Sequence, residues 1–120
     1  IKRFVSMAGA VSAHGNTPTF TAEFNVYYDP EAAHMVFAAW AKAGLTIEVI
    51  DWEATMRHGV RKEVLARWQA IESPKAEFFR QISSKTLQFV REKLGREMMY
   101  GADPLAMAVA VEPACVKRQE

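Results

Sequence analysis

Asn16, Glu23 and Asn25 stand close together in a stretch with no helical period, and Asp103 opens a later Asp-Pro pair. Asparagine offers a carbonyl acceptor and two N–H donors, whereas an ionised glutamate only accepts. Such a set suits a ligand with several hydroxyls, such as a sugar, because each hydroxyl needs both kinds of partner. The plainer alternative is that the two asparagines shape turns and that Glu23 is solvated. Asp103 is a hard oxygen ligand of the kind Ca²⁺ or Mg²⁺ takes, but Ca²⁺ needs six to eight oxygens. A helix N-cap is the alternative for Asp103.

The histidines are His14, His34 and His58, and no pair has the i, i+4 spacing of a helical zinc site. His14 lies in the Asn16 stretch, where it is a candidate acid or simply a solvated loop residue. His34 falls on the polar side of a helix, and His58 is expected near the carboxyl end of a second strand. Ala8-Gly9-Ala10 lacks the spacing of a phosphate-cradling loop, and no serine sits in a nucleophile elbow.

Phe4 to Met7 is a short apolar run closed by small residues, which predicts a buried strand and a turn. Residues 9 to 28 predict a long irregular stretch, and long ordered loops are usually functional. Asp29 as N-cap and Pro30 at the first helical position open a helix whose stripe is Ala33, Val36, Phe37 and Trp40. Gly44 closes it. Leu45 to Ile50 predicts a second strand, so a parallel β-α-β unit is expected. A helix around Val64, Leu65, Trp68 and Ile71 stops at Ser73-Pro74. A longer one spans about Lys75 to Leu94, with Phe79, Ile82, Thr86, Phe89 and Val90 on its inner face. The last helix is placed from Asp103-Pro104 onward, with Leu105, Met107, Ala108 and Val111.

The fold class is therefore α/β: part of an open, mostly parallel sheet flanked by helices. Two clear strands are few for a parallel sheet, which needs both faces covered. Either a strand near Met98 to Tyr100 escapes the pattern, or the chain is the later part of a larger domain. The sheet-size argument favours the second.

With 120 residues, 50% of them hydrophobic and 24% charged, the chain is globular and no larger than one domain. Fifteen Lys and Arg against fourteen Asp and Glu give a net charge of +1, which supplies no general attraction to nucleic acid or anionic membrane. Cys115 is the single cysteine, which excludes an intrachain disulfide. No apolar run reaches a membrane span and none reads as a signal peptide, which suits the cytoplasm. The first residue is Ile1 rather than Met, which points to processing or to a piece of something longer.

Two blocks are recognisable. GNTPTFTAEFNVYYDPEAA, from Gly15 to Ala33, resembles the signature of the inosine-uridine preferring nucleoside hydrolase family, and MAGA before it resembles that family's Met-Gly-Gly turn. ADPLAMAVAVEP, from Ala102 to Pro113, resembles the family's second block around a metal-binding aspartate. The blocks stand in the family's order, and the resemblance covers essentially the whole chain.

The resemblance implies an open α/β sheet with a nucleoside site at the strand carboxyl ends. It implies Ca²⁺-dependent hydrolysis of the N-glycosidic bond of ribonucleosides, purine nucleosides included, through an oxocarbenium-like transition state. It assigns Asn16 and Glu23 to the ribose 5′-hydroxyl region, Asn25 to the ring hydroxyls, and Asp103 to Ca²⁺ and a ribose hydroxyl. The spacing from Asn16 to Glu23 is one residue longer than the family pattern. The family's amino-terminal aspartate cluster, with the general base, has no counterpart here, so residues 1–120 are expected to be a partial, carboxyl-side portion of the domain. No catalytic base or acid is therefore assigned. Ala102 stands where members place His as a leaving-group acid or Trp as a stacking partner, which leaves base preference open. A homo-oligomer, dimer or tetramer, acting on a ribonucleoside is implied. The competing reading is a non-catalytic or truncated relative that binds ribosides or partner chains. A third keeps the fold but hydrolyses another ribosyl compound.

Overall fold

The computed structural model describes residues 3–95 and 98–117. Where the sequence shows no linker, the chain packs as two compact units: residues up to His58 together with those from Ala102 onward, and Gly59–Gly101 between them.

The first unit is built on strand β1 (Phe4–Met7) and strand β2 (Ile47–Ile50), which pair in parallel with Phe4 opposite Ile47 and Met7 opposite Ile50. Between them run a short helix α1 (Phe24–Tyr28) and helix α2 (Pro30–Lys42). Asp29 caps α2, its Oδ1 accepting the Ala32 N–H at 2.9 Å, and Gly44 (φ 68°) closes it in the left-handed conformation that glycine adopts without strain. The parallel β-α-β expectation therefore holds, with β2 two residues shorter at its start. Helix α3 (Trp52–Arg57) follows β2 directly, and helix α6 (Ala102–Val111) returns to the same sheet before a final 3₁₀ turn, Pro113–Cys115.

Side chains alternate across a strand, and this divides the sheet's two faces. On one, Phe4 meets Trp40 of α2, with ring centroids 5.1 Å apart, and the Trp40 indole N–H donates to the Thr46 carbonyl (3.1 Å). On the other, Val5, Met7 and Ile50 pack with Ala54, Leu105, Ala106 and Val109. The small Ala106 lets α6 lie close, and burying this patch is the main hydrophobic contribution in the unit. Arg3 fixes the direction of α6. It ion-pairs with Glu48 through both arms of its guanidinium and donates to the carbonyls of Val109 (3.2 Å) and Ala110 (3.1 Å), which the helix end leaves without intrahelical partners. The pair raises the Arg3 pKa and holds the Glu48 carboxyl below its usual range.

The second unit pairs strand β3 (Val60–Arg61) antiparallel with strand β4 (Met98–Met99), and packs helix α4 (Lys62–Gln69) against helix α5 (Pro74–Glu92). Met98 and Tyr100 close on Gly59, where a Cβ would come within 2.7 Å of the Met98 side chain. The strand near Met98 thus exists, but as a two-residue ladder apart from the parallel sheet. Ser73 caps α5 through its hydroxyl (Ala76 N–H, 3.1 Å), and Trp68 meets Phe79 edge-on at 6.4 Å. The packed face of α5 follows Phe79, Ser83, Leu87 and Val90 rather than the expected stripe, since Ile82, Thr86 and Phe89 are exposed. The small Ser83 lies buried on that face, its hydroxyl satisfied by the Phe79 carbonyl (2.6 Å).

The last helix also departs from expectation. It begins at Ala102, so Asp103 and Pro104 lie inside its first turn. Proline costs nothing there because the first N–H groups have no intrahelical acceptor. Its buried residues are Ala106 and Val109, while Met107, Ala108 and Val111 are exposed.

Large apolar side chains remain uncovered in both units, among them Tyr28 (81% exposed), Met35 (70%), Phe78 (63%) and Ile82 (61%). Exposed apolar area on this scale marks contact surface or an aggregation hazard. Residues 1–120 expressed alone should therefore bind a hydrophobic dye in native buffer and melt without a sharp transition. Dye fluorescence and calorimetry check this, and a cooperative, dye-negative monomer would refute it.

Candidate active site

The turn after β1 and the start of α1 are joined by one carboxylate. Glu23 is only 2% exposed and acts as the N-cap of α1. Its Oε1 accepts the Asn25 N–H (2.9 Å), and its Oε2 accepts the N–H groups of Val26 (3.2 Å) and Gly9 (3.1 Å). Gly9 has φ 79°, which turns its N–H toward the carboxylate and favours glycine. Glu23 is thus not the solvated side chain of the plainer alternative. A buried carboxylate is tolerated when such donors replace water.

Asn25 sits at the carboxyl end of β1, where its Nδ2 donates to the Met7 carbonyl and lies as close to the Met7 sulfur (both 3.3 Å). Asn25 is exposed, and its Oδ1 takes no hydrogen bond from the described residues, which leaves it an acceptor. Asn16 complements it. The Asn16 Oδ1 accepts the Phe24 N–H (2.7 Å), which leaves the exposed Nδ2 as a donor. Asn16, Glu23 and Asn25 therefore converge on the start of α1.

The segment between Asn16 and Glu23 is a tight loop. Gly15 donates to the Phe20 carbonyl (2.7 Å), Asn16 to the Ala22 carbonyl (3.0 Å), and the buried Thr17 hydroxyl also to Ala22 (3.1 Å). A Cβ on Gly15 would stand 1.9 Å from the Ala22 oxygen, so only glycine fits.

Asp103 stands on another element, in the first turn of α6. That helix packs on β1, and Arg3 binds the carbonyls at its carboxyl end. Asp103 is exposed, and no hydrogen bond joins its side chain to the described residues, Asn16, Glu23 and Asn25 included. It is not a cap. His58 closes α3, a helix the sequence pattern did not reveal, with Nδ1 donating to the Ala54 carbonyl (2.8 Å). His34 is exposed on α2 as expected, and the exposed His14 contributes only its backbone N–H to the region.

Glu53, in the first turn of α3, went unread in the sequence because its partners are backbone groups, which leave no side-chain signature. It accepts N–H groups from Val11, Ser12 and His14. Burial pushes its carboxyl up, and the N–H groups of Glu53 itself, His14, Ser12 and Val11 together outweigh that, so it lies below the usual carboxylate range.

Among the described residues no group of three or more His, Cys, Asp or Glu side chains is placed to hold a metal. Asp103 alone is one oxygen where Ca²⁺ needs six to eight. These residues do not form a metal site by themselves.

The comparisons with known proteins follow this geometry. Residues 1–120 match the inosine-uridine preferring nucleoside hydrolase family throughout. The chain belongs to that family. Over 77 residues it is 43% identical to the pyrimidine-specific ribonucleoside hydrolase RihA of Shewanella woodyi, covering 64% of this chain and 23% of that protein. It is 30% identical over its whole length to the pyrimidine-specific ribonucleoside hydrolase RihB of Escherichia coli O17:K52:H18, covering 36% of it. Among solved structures it resembles a plant nucleoside hydrolase, PpNRh1, with a TM-score of 0.71, 28% identity, and coverage of 89% of this chain and 32% of that one. The family fold and the α/β class expected from the sequence are thereby established. The chain spans from about a quarter to under half of the length of the curated relatives it matches.

Two outcomes follow. Gly15→Ala should destabilise the full-length protein by about 1–3 kcal/mol, the usual cost of forcing atoms into a packed site, because the Ala22 carbonyl cannot retreat without breaking its bonds to Asn16 and Thr17. Denaturant titration measures it. Glu53, whose folded pKa is depressed, contributes stability above its unfolded pKa of about 4.3 and loses it as pH falls through the folded value. Melting temperatures from pH 7 to pH 3 should therefore fall less steeply in Glu53→Gln than in wild type.

Proposed function

We propose that this chain is the sugar-binding, carboxyl-side part of a ribonucleoside hydrolase, which adds water across the N-glycosidic bond to release ribose and a free base. The observation that carries the reading is that Asn16 Nδ2 and Asn25 Oδ1, a donor and an acceptor with no hydrogen bond to the described residues, both belong to side chains held at the helix start that the buried Glu23 caps. A ribose hydroxyl needs one of each. Glu23, which the resemblance assigns to the 5′-hydroxyl region, holds that helix start in place from its buried position. Family membership and relatives named ribonucleoside hydrolases support the same activity.

In this reading the chain's residues bind and orient the sugar. Side chains held by backbone bonds keep their positions as the ring flattens toward an oxocarbenium ion, and positioning of this kind lowers the barrier. The positive charge on the ring is stabilised by the nearby carboxylates, Glu23 among them. Ca²⁺ is the metal the resemblance implies, with Asp103 as the one ligand this stretch offers. Relatives named pyrimidine-specific favour uridine and cytidine over purine nucleosides. Ala102 offers neither an aromatic surface nor a leaving-group acid, so this preference rests on the relatives alone. The working enzyme in this reading is a cytoplasmic homo-oligomer, dimer or tetramer, without a nucleic-acid or membrane partner. A net charge of +1 supports the last point. No helix among the described residues is long and apolar enough to cross a membrane.

The test is made on the full-length protein. It should release uracil from uridine faster than hypoxanthine from inosine. Asp103→Ala should lose about a hundredfold or more in kcat/KM. Asn25→Ala should lose at least about tenfold, one hydrogen bond of roughly 1.4 kcal/mol, and should shrink the preference for uridine over 2′-deoxyuridine. Full activity in Asp103→Ala together with an unchanged deoxyribose preference in Asn25→Ala would overturn the reading.

A further inference from the structure

Glu53 has no assigned part in the sugar site, yet its surroundings are as built as those of Glu23. Its Oε2 accepts the Val11 N–H at 3.1 Å, and its Oε1 accepts those of Ser12 (2.9 Å) and His14 (3.3 Å). Between the last two donors Ala13 has φ 57°, a left-handed conformation that residues with a Cβ seldom adopt. Its own N–H closes a turn on the Ala10 carbonyl (3.1 Å). Successive N–H groups turned inward about a left-handed residue form a concave cradle for an anion, and here the anion is a side chain from another element. The donors all require an acceptor. A neutral amide would offer one oxygen and would set its NH₂ against a backbone N–H.

The cradle is rigid at both ends. On the Glu53 side, the Trp52 N–H donates to the Gly9 carbonyl (2.9 Å), and Asp51 caps the Ala54 N–H (2.6 Å). On the other side, His14 runs directly into Gly15 and Asn16, whose N–H groups pair with Phe20 and Ala22. The Asn16 amide, two residues beyond the cradle, then seats on Phe24. Displacing the cradle therefore displaces Asn16, while Asn25, bonded to Met7, is held independently.

We propose that Glu53 is a positioning residue of the sugar site: by gathering the N–H groups of Val11, Ser12 and His14 it sets where the Asn16 amide meets the substrate. The proposal rests on the reading that Asn16 contacts the ribose. It adds a residue that never touches the sugar and acts through backbone alone.

A double-mutant cycle on the full-length protein tests it, with uridine as substrate and Glu53→Gln, Asn16→Ala and their combination as variants. Glu53→Gln should lower kcat/KM at least about tenfold in the wild-type background. In the Asn16→Ala background the same change should cost less than about twofold, because the group it positions is gone. Amide hydrogen exchange at Ser12 and His14 should quicken at least about tenfold in Glu53→Gln and stay unchanged along β1 and β2. If Glu53→Gln melts below the assay temperature, Glu53→Asp replaces it in the cycle, because it keeps the charge and withdraws it by one methylene. Equal losses in both backgrounds would show that Glu53 serves the fold and not Asn16, and would overturn the proposal. An active wild type with an unaffected Glu53→Gln would overturn it too while leaving the hydrolase reading in place. A wild type inactive on every ribonucleoside would instead overturn the hydrolase reading, and this proposal with it.

Discussion

The buried carboxylate of Glu23 is the constraint on which the rest of the first unit's site depends. Taking a carboxylate out of water is costly unless donors replace the lost hydration. Three backbone N–H groups do so here, and they come from two places: the turn after β1, and the first turn of α1. Satisfying one side chain therefore fixes the relative position of two segments. Everything exposed at the strand end, Asn25 above all, inherits that fixed frame.

The same device recurs nearby. Glu53 organises the segment from Val11 to His14, and Arg3 organises the carboxyl end of α6 through its carbonyls. In each case a charged side chain from one element binds the backbone of another. Such bonds are geometrically demanding and stronger than neutral ones, so irregular segments hold their shape with little apolar burial. That is how the loop of residues 9–22 stays ordered although most of its side chains face solvent.

The legible parts of the fold were those with local punctuation. Asp29-Pro30 and Gly44 bracket α2, and the apolar runs at Phe4 and Ile47 mark the parallel pair. Helices α1 and α3 are five and six residues long, too short to display a period. The start of α6 was misplaced because Asp103-Pro104 copies the capping pattern of Asp29-Pro30. Yet Pro104 occupies a later position in the first turn, where it is equally harmless. The site was half legible. Asn16, Glu23 and Asn25 could be singled out by chemical type and by resemblance, and the structure brings them to one helix start. What spacing could not show is that Glu23 faces inward toward backbone, and that Glu53 does the same from α3. Hydrogen bonds to N–H groups place no demand on the partner's identity, so they leave no trace in the residues that donate.

The interrupted layout of the first unit has a consequence for how the protein is made. Both of its strands exist once Ile50 has been synthesised, but the helix that covers the Val5, Met7 and Ile50 face comes only after Gly59–Gly101. At about 5–20 residues per second, a translating ribosome leaves that face bare for roughly 3–10 s. During this interval the nascent chain presents a sticky apolar face. Codon choice or chaperone supply over residues 59–101 therefore bears on the yield of folded protein, although none of those residues belongs to the sugar site.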